Sequence, residues 1–296
     1  MNKGLTQLLI CYFLWGSLSI YWHTLSTVNA IDILFYRIIF SFLTMLILLI
    51  TTGQLSLVWN ETKQTFRQPK PFFRIISTAI LITINWGTYI YSVNHGQATE
   101  ASLGYYIMPL LSVLLAVIFL KEQLSRNTLI ALGFSLVGVI VLTIMQGGLP
   151  LPVILMALAF SFYGLVKKGL AISTITAMTL ESAIMIPVAI IYFILSKHQP
   201  LWQYSPKIIL LTLLSGVITI IPLILYTEAL KHLKLSTVGL LQYLNPTIQL
   251  VIAVFVLKET YNLSKLIAFS FIWIGVLIFC IGQWHSYRVE NKTQID

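Results

Sequence analysis

The chain alternates between long apolar runs and short polar breaks. The runs are about 18 to 22 residues long, the length that an α-helix needs to cross roughly 30 Å of hydrocarbon. The longest break, residues 52–72, contains Pro69 and Pro71 and is typical of a surface connection. The pattern predicts ten membrane-spanning helices, at residues 5–22, 31–51, 73–92, 101–120, 128–145, 149–166, 175–195, 208–227, 236–257 and 266–283.

Composition supports an all-α integral membrane protein. Hydrophobic residues make up 58% of the chain and charged residues only 9%, whereas a soluble domain carries roughly a quarter charged residues. Membrane lipid is therefore the expected surroundings. The net charge of +9 does not indicate a nucleic-acid partner, because the basic residues lie between the apolar runs rather than along one exposed stripe.

The distribution of lysine and arginine predicts the orientation in the membrane. If the N-terminus is inside, four basic residues lie in outer loops and thirteen lie on the inner side. Because inner loops retain positive charge, both termini are predicted to be cytoplasmic in a multi-pass protein of the cell inner (plasma) membrane. The thirteen are Lys3, Lys63, Arg67, Lys70, Arg74, Lys121, Arg126, Lys167, Lys168, Lys231, Lys234, Arg288 and Lys292.

An internal repeat appears at an offset of 137 residues across the fourth and fifth spans. Tyr106 matches Tyr243, and Pro109 matches Pro246 in this register. Each repeat holds five predicted spans, an odd number, so the second copy enters the membrane in the opposite orientation. The sequence thus predicts two inverted five-helix units, residues 1–146 and 147–296.

Inverted repeats are the architecture of many secondary transporters, in which one site at mid-membrane is exposed alternately to each side. A membrane scaffold and a passive channel remain the alternatives. An intramembrane enzyme is disfavoured because the sequence contains no HExxH, GxSxG or P-loop motif, and no cofactor or metal is expected. We expect a small-molecule substrate. The sequence leaves open whether the chain works alone or as a homodimer.

Four stretches carry a resemblance to a known family. They are YWHTLS…ILFYRIIFS (residues 21–41), NWGTYIYSVNHGQATEASLGYYIMPLLSVLLAVIFLKE (85–122), AFSFYGLVKK (159–168) and LSTVGLLQYLNPTIQL (235–250). Together they resemble the EamA-like permeases of the drug/metabolite transporter superfamily, and within it the RarD-type proteins. The resemblance covers nearly the whole chain and implies a ten-helix permease of the bacterial inner membrane.

Two ionisable residues within predicted spans are candidates for function, since such residues are costly in lipid. Arg37, which matches the family's arginine in YRIIFS, could bind a carboxylate or phosphate of the substrate, or instead snorkel or pair with Asp32. Glu181 resembles the glutamate of the family's TLE sequence. It could take up and release a proton in a coupled cycle, or serve as a structural partner for a hydroxyl or cation.

Polar residues of the third span and the following turn form a second group of candidates. Asn85 and Tyr89 are four residues apart and could line a cavity together. His95 and Glu100 could form an outer gate or a titrating pair, although a histidine in a turn is more often simply solvated.

The paired prolines mark two equivalent helices as candidate moving elements. A proline within a span frees a carbonyl from its helix bond, so Pro109 and Pro246 are predicted to interrupt their helices as hinges. The alternative is that each only sets a packing kink. Neighbouring donors and ring faces are expected to line the substrate cavity, and they belong to Tyr106, Gln242, Tyr243 and Asn245.

Overall fold

The computed structural model describes residues 3–94, 98–145, 147–148, 151–256 and 263–293. For residues 19, 23, 90–94, 98–103, 253–254, 263–265 and 283–293 the description covers the backbone only. The described part is helical and contains no strand. Its helices are α1 (Lys3–Thr24), α2 (Ala30–Thr52), α3 (Leu55–Arg67), α4 (Pro69–Asn94), α5 (Ala98–Leu120), α6 (Arg126–Met145), α7 (Leu151–Lys168), α8 (Thr174–Leu195), α9 (Pro206–His232), α10 (Leu235–Leu241), α11 (Leu244–Phe255) and α12 (Leu263–Thr293).

Within the described residues, every predicted span falls on helical structure. Nine of them coincide with single helices, and the ninth in chain order, 236–257, is divided between α10 and α11. Within the described residues, six helices are long and apolar enough to cross a membrane: α1, α2, α6, α7, α8 and α9. Large apolar side chains on these helices point outward, for example Ile144, Leu151 and Ile194, each exposed by more than 70%. This exposure suits contact with lipid chains.

The predicted surface connection at 52–72 is instead largely helical. Helix α3 is amphipathic, and Gly53 ends α2 in the left-handed conformation that lets the chain turn into it. Trp59 and Phe66 are exposed beside Lys63, which lies over the Trp59 ring. A short amphipathic helix with aromatic and basic residues is typical of a segment at the membrane surface.

The two halves pack as inverted copies, as the contact between α6 and α12 shows. A Cβ atom on Gly138 would lie 2.7 Å from the carbonyl oxygen of Ala268, and one on Gly275 would lie 2.7 Å from that of Ala131. The two glycines are 137 positions apart in the sequence, and so are the two alanines whose carbonyl oxygens they face. Because the order of contacts reverses between the helices, α6 and α12 run antiparallel. Only glycine permits this close approach of the backbones.

The remaining contacts repeat the same symmetry. Helix α4 packs on α7 as α9 packs on α1, and α5 packs on α7 as α11 packs on α1. Helices α2 and α8 meet each other across the pseudo-two-fold axis. We call the membrane face where α1 begins the N-terminal face, and it holds residues 53–54, 121–125, 169–173 and 233–234. The other is the opposite face, which holds residues 25–29 and 196–205.

The break between α10 and α11 has a local cause. Pro246 has no N–H group, so it cannot bond to the carbonyl of Gln242 four residues earlier. That carbonyl accepts a hydrogen bond from the Asn245 N–H instead, at 3.0 Å. The chain therefore makes a tight turn at residues 242–243. In contrast, α5 runs continuously through Pro109, and a hinge there stays a prediction.

Candidate functional site

A cavity of about 100 Å³ lies between the two halves. Its wall includes residues from α1, α2, α4 and α5 of the first half and from α7, α9 and α11 of the second. The lining residues are Trp15, Leu18, Trp22, Arg37, Asn85, Trp86, Tyr89, Tyr105, Met108, Phe160, Thr219, Gln242, Asn245 and Gln249. We call this space the central cavity. It reaches toward the opposite face, since Trp22, Arg37 and Tyr89 lie near the helix ends on that side.

Arg37 is held in the central cavity by neutral groups. Its guanidinium carbon lies 4.5 Å from the ring centre of Trp22 and 4.3 Å from that of Trp86. Its Nε donates a hydrogen bond to the Thr219 hydroxyl at 3.1 Å. The pairing with Asp32 does not form, because Asp32 accepts a hydrogen bond from Tyr192 and lies 3.0 Å from His198 Nδ1.

Side-chain amides line the wall beside Arg37, and each is fixed by a bond to the protein. Asn85 donates to the backbone carbonyl of Met156 at 2.9 Å. Gln249 donates to the Asn245 side-chain oxygen at 2.9 Å, and Gln242 approaches the Met108 sulfur at 3.4 Å. The Asn85 bond joins α4 to α7, and the Gln242 contact joins the segment after α10 to α5. The amides therefore connect both halves at the cavity wall.

An aromatic layer separates the central cavity from the N-terminal face. Trp15 and Phe160 line the cavity, and Tyr12, Tyr163 and Tyr226 lie one or two helical turns further toward the N-terminal face. The ring centres of Trp15 and Tyr226 are 5.5 Å apart, and those of Tyr163 and Tyr226 are 6.2 Å apart. All three tyrosines are at most 2% exposed.

Beyond this layer lies a buried ion pair. Lys167 Nζ is 2.8 Å from Glu181, and the two side chains are 0% and 6% exposed. Lys167 also donates to the Tyr163 hydroxyl at 2.6 Å, and that hydroxyl donates to Glu181 at 3.3 Å. Counting Lys167 among the loop cations was therefore wrong, because it is buried near the end of α7. Glu181 therefore contacts both a hydroxyl group and a cation, the two partners named in the alternative that it has a structural role.

A second, smaller cavity of about 30 Å³ lies beside Glu181 and shares one lining residue with the central cavity. Glu181, Ser182 and Ser41 line it together with Trp86. Trp86 also lines the central cavity, where it flanks Arg37. One tryptophan therefore borders both cavities.

Polar contacts close the N-terminal face. Glu122, in the turn after α5, accepts hydrogen bonds from the Leu235 and Ser236 N–H groups at 2.7 and 3.0 Å, at the first turn of α10. Glu61 of α3 accepts similar bonds from Ser173 at the start of α8. Lys168 donates to two backbone carbonyls at the end of α9. The bonds of Glu61 and Glu122 join α3 and the end of α5 to the second half, and those of Lys168 join α7 to α9 within that half.

The structure gathers most of the predicted cavity residues around one space. Arg37, Asn85, Tyr89, Gln242 and Asn245 all line the central cavity. The other two predicted cavity residues do not line it. Tyr106 packs edge-on against Phe269, and Tyr243 is 1% exposed in the core.

The predicted gating residues have separate placements. Pro109 packs within α5, where its carbonyl faces Gly239 of α10, and Pro246 follows the break between α10 and α11. His95 lies outside the described residues. Glu100 lies at the start of α5, and its side chain lies outside the described part of the chain.

Several cavity residues were not predicted from the sequence. Trp22 lies near the end of an apolar run, a position typical of an interfacial anchor, yet its ring flanks Arg37. The sequence does not distinguish Trp86 and Thr219 from other span residues, because aromatic and hydroxyl residues are common in membrane helices. The sequence signal that could have identified Trp86 is its position next to Asn85, a residue predicted to line the cavity.

The inverted halves, the shared cavity and the apolar exterior define a multi-pass membrane protein of the permease class. The EamA-like transporter family matches the chain twice, at residues 2–144 and 150–281. The chain belongs to this family, as a RarD-type permease. The names of the family and of its relatives indicate a transporter.

Known relatives extend over nearly the whole chain. It is 41% identical to the uncharacterized transporter YojE of Bacillus subtilis, covering 98% of both chains. It is 34% identical to protein RarD of Escherichia coli, again covering 98% of both. A solved crystal structure with 18% identity covers 94% of this chain and 95% of its own, with a TM-score of 0.70, which shows the fold alone.

Proposed function

We propose that the chain is a secondary transporter that moves small organic metabolites across the bacterial inner membrane by alternating access. The observation that carries this proposal is the central cavity, which is lined by both inverted halves and separated from the N-terminal face by the aromatic layer. Inverted repeats allow the complementary state, in which the units 1–146 and 147–296 exchange roles and the cavity reaches the other face.

The N-terminal face is proposed to be cytoplasmic. Lys63 and Arg67 of α3, together with Lys168 and Arg74, lie on this face, and inner faces retain positive charge. In this orientation the structure corresponds to a state closed to the cytoplasm, with the cavity reaching toward the outside.

Glu181 is the proposed proton carrier. It is paired with Lys167 at 2.8 Å in the present arrangement, and proton coupling requires a movement of α7 relative to α8 that separates the pair. Tyr163 contacts both members of the pair and packs against Tyr226 of the aromatic layer. A rearrangement of this layer is thus linked by direct contact to the charge on Glu181.

Reconstitution in liposomes tests the proposal. A pH-sensitive dye is enclosed, no proton gradient is imposed, and amino acids, aromatic metabolites and phosphorylated solutes are added in turn. Mass spectrometry follows the uptake of each solute. A carrier is expected to take up a specific solute faster when the same solute is preloaded inside, whereas a channel shows no such acceleration.

Variants separate the proton from the solute. Glu181→Gln should abolish proton movement, and Glu228→Gln is the matched control because Glu228 pairs with Lys231 at the end of α9, away from the cavity. The double variant Lys167→Gln/Glu181→Gln shows whether a loss reflects an unpaired lysine. If no solute is taken up by well-folded protein, the transport proposal is wrong. Uptake without proton movement in the unaltered protein contradicts the coupling alone.

A further inference from the structure

Among its described lining residues, the central cavity contains one charged side chain. Among the described lining residues Arg37 is charged, and the others are neutral. Three ion pairs occur among the described side chains, and none of them includes Arg37. A charge within the membrane that lacks a counter-ion is costly and usually functional. The positive charge of Arg37 is therefore available to an anion in the cavity.

The surroundings of Arg37 restrict how such an anion can approach. The rings of Trp22 and Trp86 flank the guanidinium, and Nε is taken by Thr219. The two terminal nitrogens have no acceptor among the described residues. They lie along the edge of a planar group whose parallel N–H donors match the two oxygens of a carboxylate. The remaining approach for an anion is in the plane of the guanidinium, with two anion oxygens accepting hydrogen bonds from the two terminal nitrogens.

The rest of the wall defines the body of the ligand. Trp15, Leu18 and Phe160 supply an apolar and aromatic surface, and aromatic rings pack well against flat groups. The amide oxygens of Asn85 and Gln242 can accept bonds from neutral donors. None of the described lining residues carries a negative charge for a ligand amine.

Building on the proposed transport function, we propose that the central cavity binds a monoanion with a carboxylate head and a flat apolar or aromatic body. Arg37 holds the carboxylate through its terminal nitrogens. Trp22, Trp86 and Thr219 orient the guanidinium, and the neutral wall selects against cationic analogues.

Binding to the purified, full-length protein tests the ligand class by calorimetry. Three probes share one ring and nearly the same size: phenylacetate is anionic, phenylacetamide is neutral and phenethylamine is cationic. Phenylacetate is expected to bind at least about tenfold more tightly than either analogue, because charge-assisted bonds are roughly twice as strong as neutral ones. Arg37→Gln should remove this preference and leave phenylacetamide binding within about twofold.

Further variants separate charge from geometry. Arg37→Lys keeps the charge but loses the two-donor edge, so an intermediate affinity for phenylacetate is expected. Thr219→Val removes the hydrogen bond to Nε and should weaken phenylacetate more than phenylacetamide. Lys63→Gln on α3 removes a positive charge far from the cavity, and it should change neither affinity.

The outcomes distinguish this inference from the transport proposal. Equal binding of all three probes, tighter binding of phenethylamine, or no binding of phenylacetate overturns the inference and leaves transport of other solutes intact. Phenylacetate binding that depends on Arg37, together with liposomes that take up no solute, supports the inference and contradicts transport. Uptake of phenylacetate is measured as the excess over protein-free liposomes, because the neutral acid crosses lipid by itself.

Discussion

Arg37 and Glu181 occupy equivalent places in the two halves but have opposite surroundings. Each is the eighth residue of the second spanning helix of its half, α2 or α8. Glu181 is neutralised within the protein by Lys167 of the neighbouring α7. Arg37 has aromatic rings from the corresponding α1 and from α4, and it has no counter-ion among the described residues.

The difference shows how a symmetric fold can hold an asymmetric site. The backbone symmetry places one ionisable group at similar depth in each half, and the neighbouring side chains decide what each can do. In the second half the neighbour is Lys167, and the ion pair neutralises the charge of Glu181 within the protein. Where the neighbours are tryptophans, the charge remains available to a ligand. The comparison predicts opposite responses when each charge is removed.

The largest expected effect follows from breaking the ion pair. Lys167→Met leaves Glu181 buried without a partner, which should lower the free energy of unfolding by about 3–5 kcal/mol. Denaturation in detergent measures this loss. The double variant Lys167→Met/Glu181→Met should recover most of it, because no unpaired charge then remains. A double variant as unstable as the single one would show that packing, rather than charge, sets the cost.

Removing the charge in the other half should have a much smaller effect on stability. Arg37→Met loses its contacts with two tryptophan rings but also relieves an uncompensated charge, so the free energy of unfolding should change by about 1 kcal/mol or less. The same denaturation experiment measures it. Destabilisation as large as that of Lys167→Met would show that Arg37 has a counter-ion outside the described side chains, with Glu100 the nearest candidate in sequence.

The polar contacts that close the N-terminal face can be weakened by a substitution that leaves the Lys167–Glu181 ion pair unchanged. Glu122→Gln replaces the carboxylate that accepts two N–H bonds and one hydroxyl bond at the start of α10. A loss of about 1 kcal/mol is expected from weaker capping. Hydrogen exchange at the amides of Leu235 and Ser236 should rise. If exchange there is unchanged while exchange near Arg37 rises, the contact does not seal the N-terminal face.

Much of the fold was accessible from sequence because the signals were long and repeated. Ten apolar runs gave the helices, and the 137-residue register gave the inverted halves, which Gly138 and Gly275 confirm by their reciprocal contacts. Helix α3 was missed because its amphipathic pattern is short and lies beside two prolines. The continuity of α5 was missed because a proline's effect depends on whether packing supports the helix around it.

Less of the candidate site was accessible, because its neighbours come from different helices. Arg37 and Asn85 stand out as polar residues within apolar runs. Trp22 and Thr219 meet Arg37 from α1 and α9, and no local pattern shows that these helices converge on α2. Lys167 was misassigned for a related reason. Charge position along the chain does not reveal that a long side chain turns inward to a carboxylate on the next helix.

The smallest expected effect concerns how α8, the helix of Glu181, is anchored. Helix α2 is capped by its own Asn29, whereas α8 is capped by Ser173 and also contacts Glu61 of α3. Among the described residues, the equivalent connection between α8 and α9 contains only a three-residue 3-10 helix, Leu201–Gln203. Partial burial alone would raise the pKa of Glu61, but hydrogen bonds from Ser173 and Thr176 and the charge of Lys231 outweigh it. The pKa of Glu61 is therefore lowered from its ordinary value of 4.5.

A lowered carboxyl pKa predicts a stabilising contact that is fully present above the ordinary value and is lost as the pH falls through the lower, folded-state value. Glu61→Gln should therefore reduce the protein's stability slightly at neutral pH and flatten its decline with acid below about pH 4.5. Thermal unfolding across that pH range measures both effects. Glu61 is partly exposed, so the solvent weakens the contact and the change should be smaller than for Glu122→Gln. An unchanged acid profile in Glu61→Gln would mean that α8 is held by Ser173 alone, and the anchoring of the two equivalent helices would then be alike.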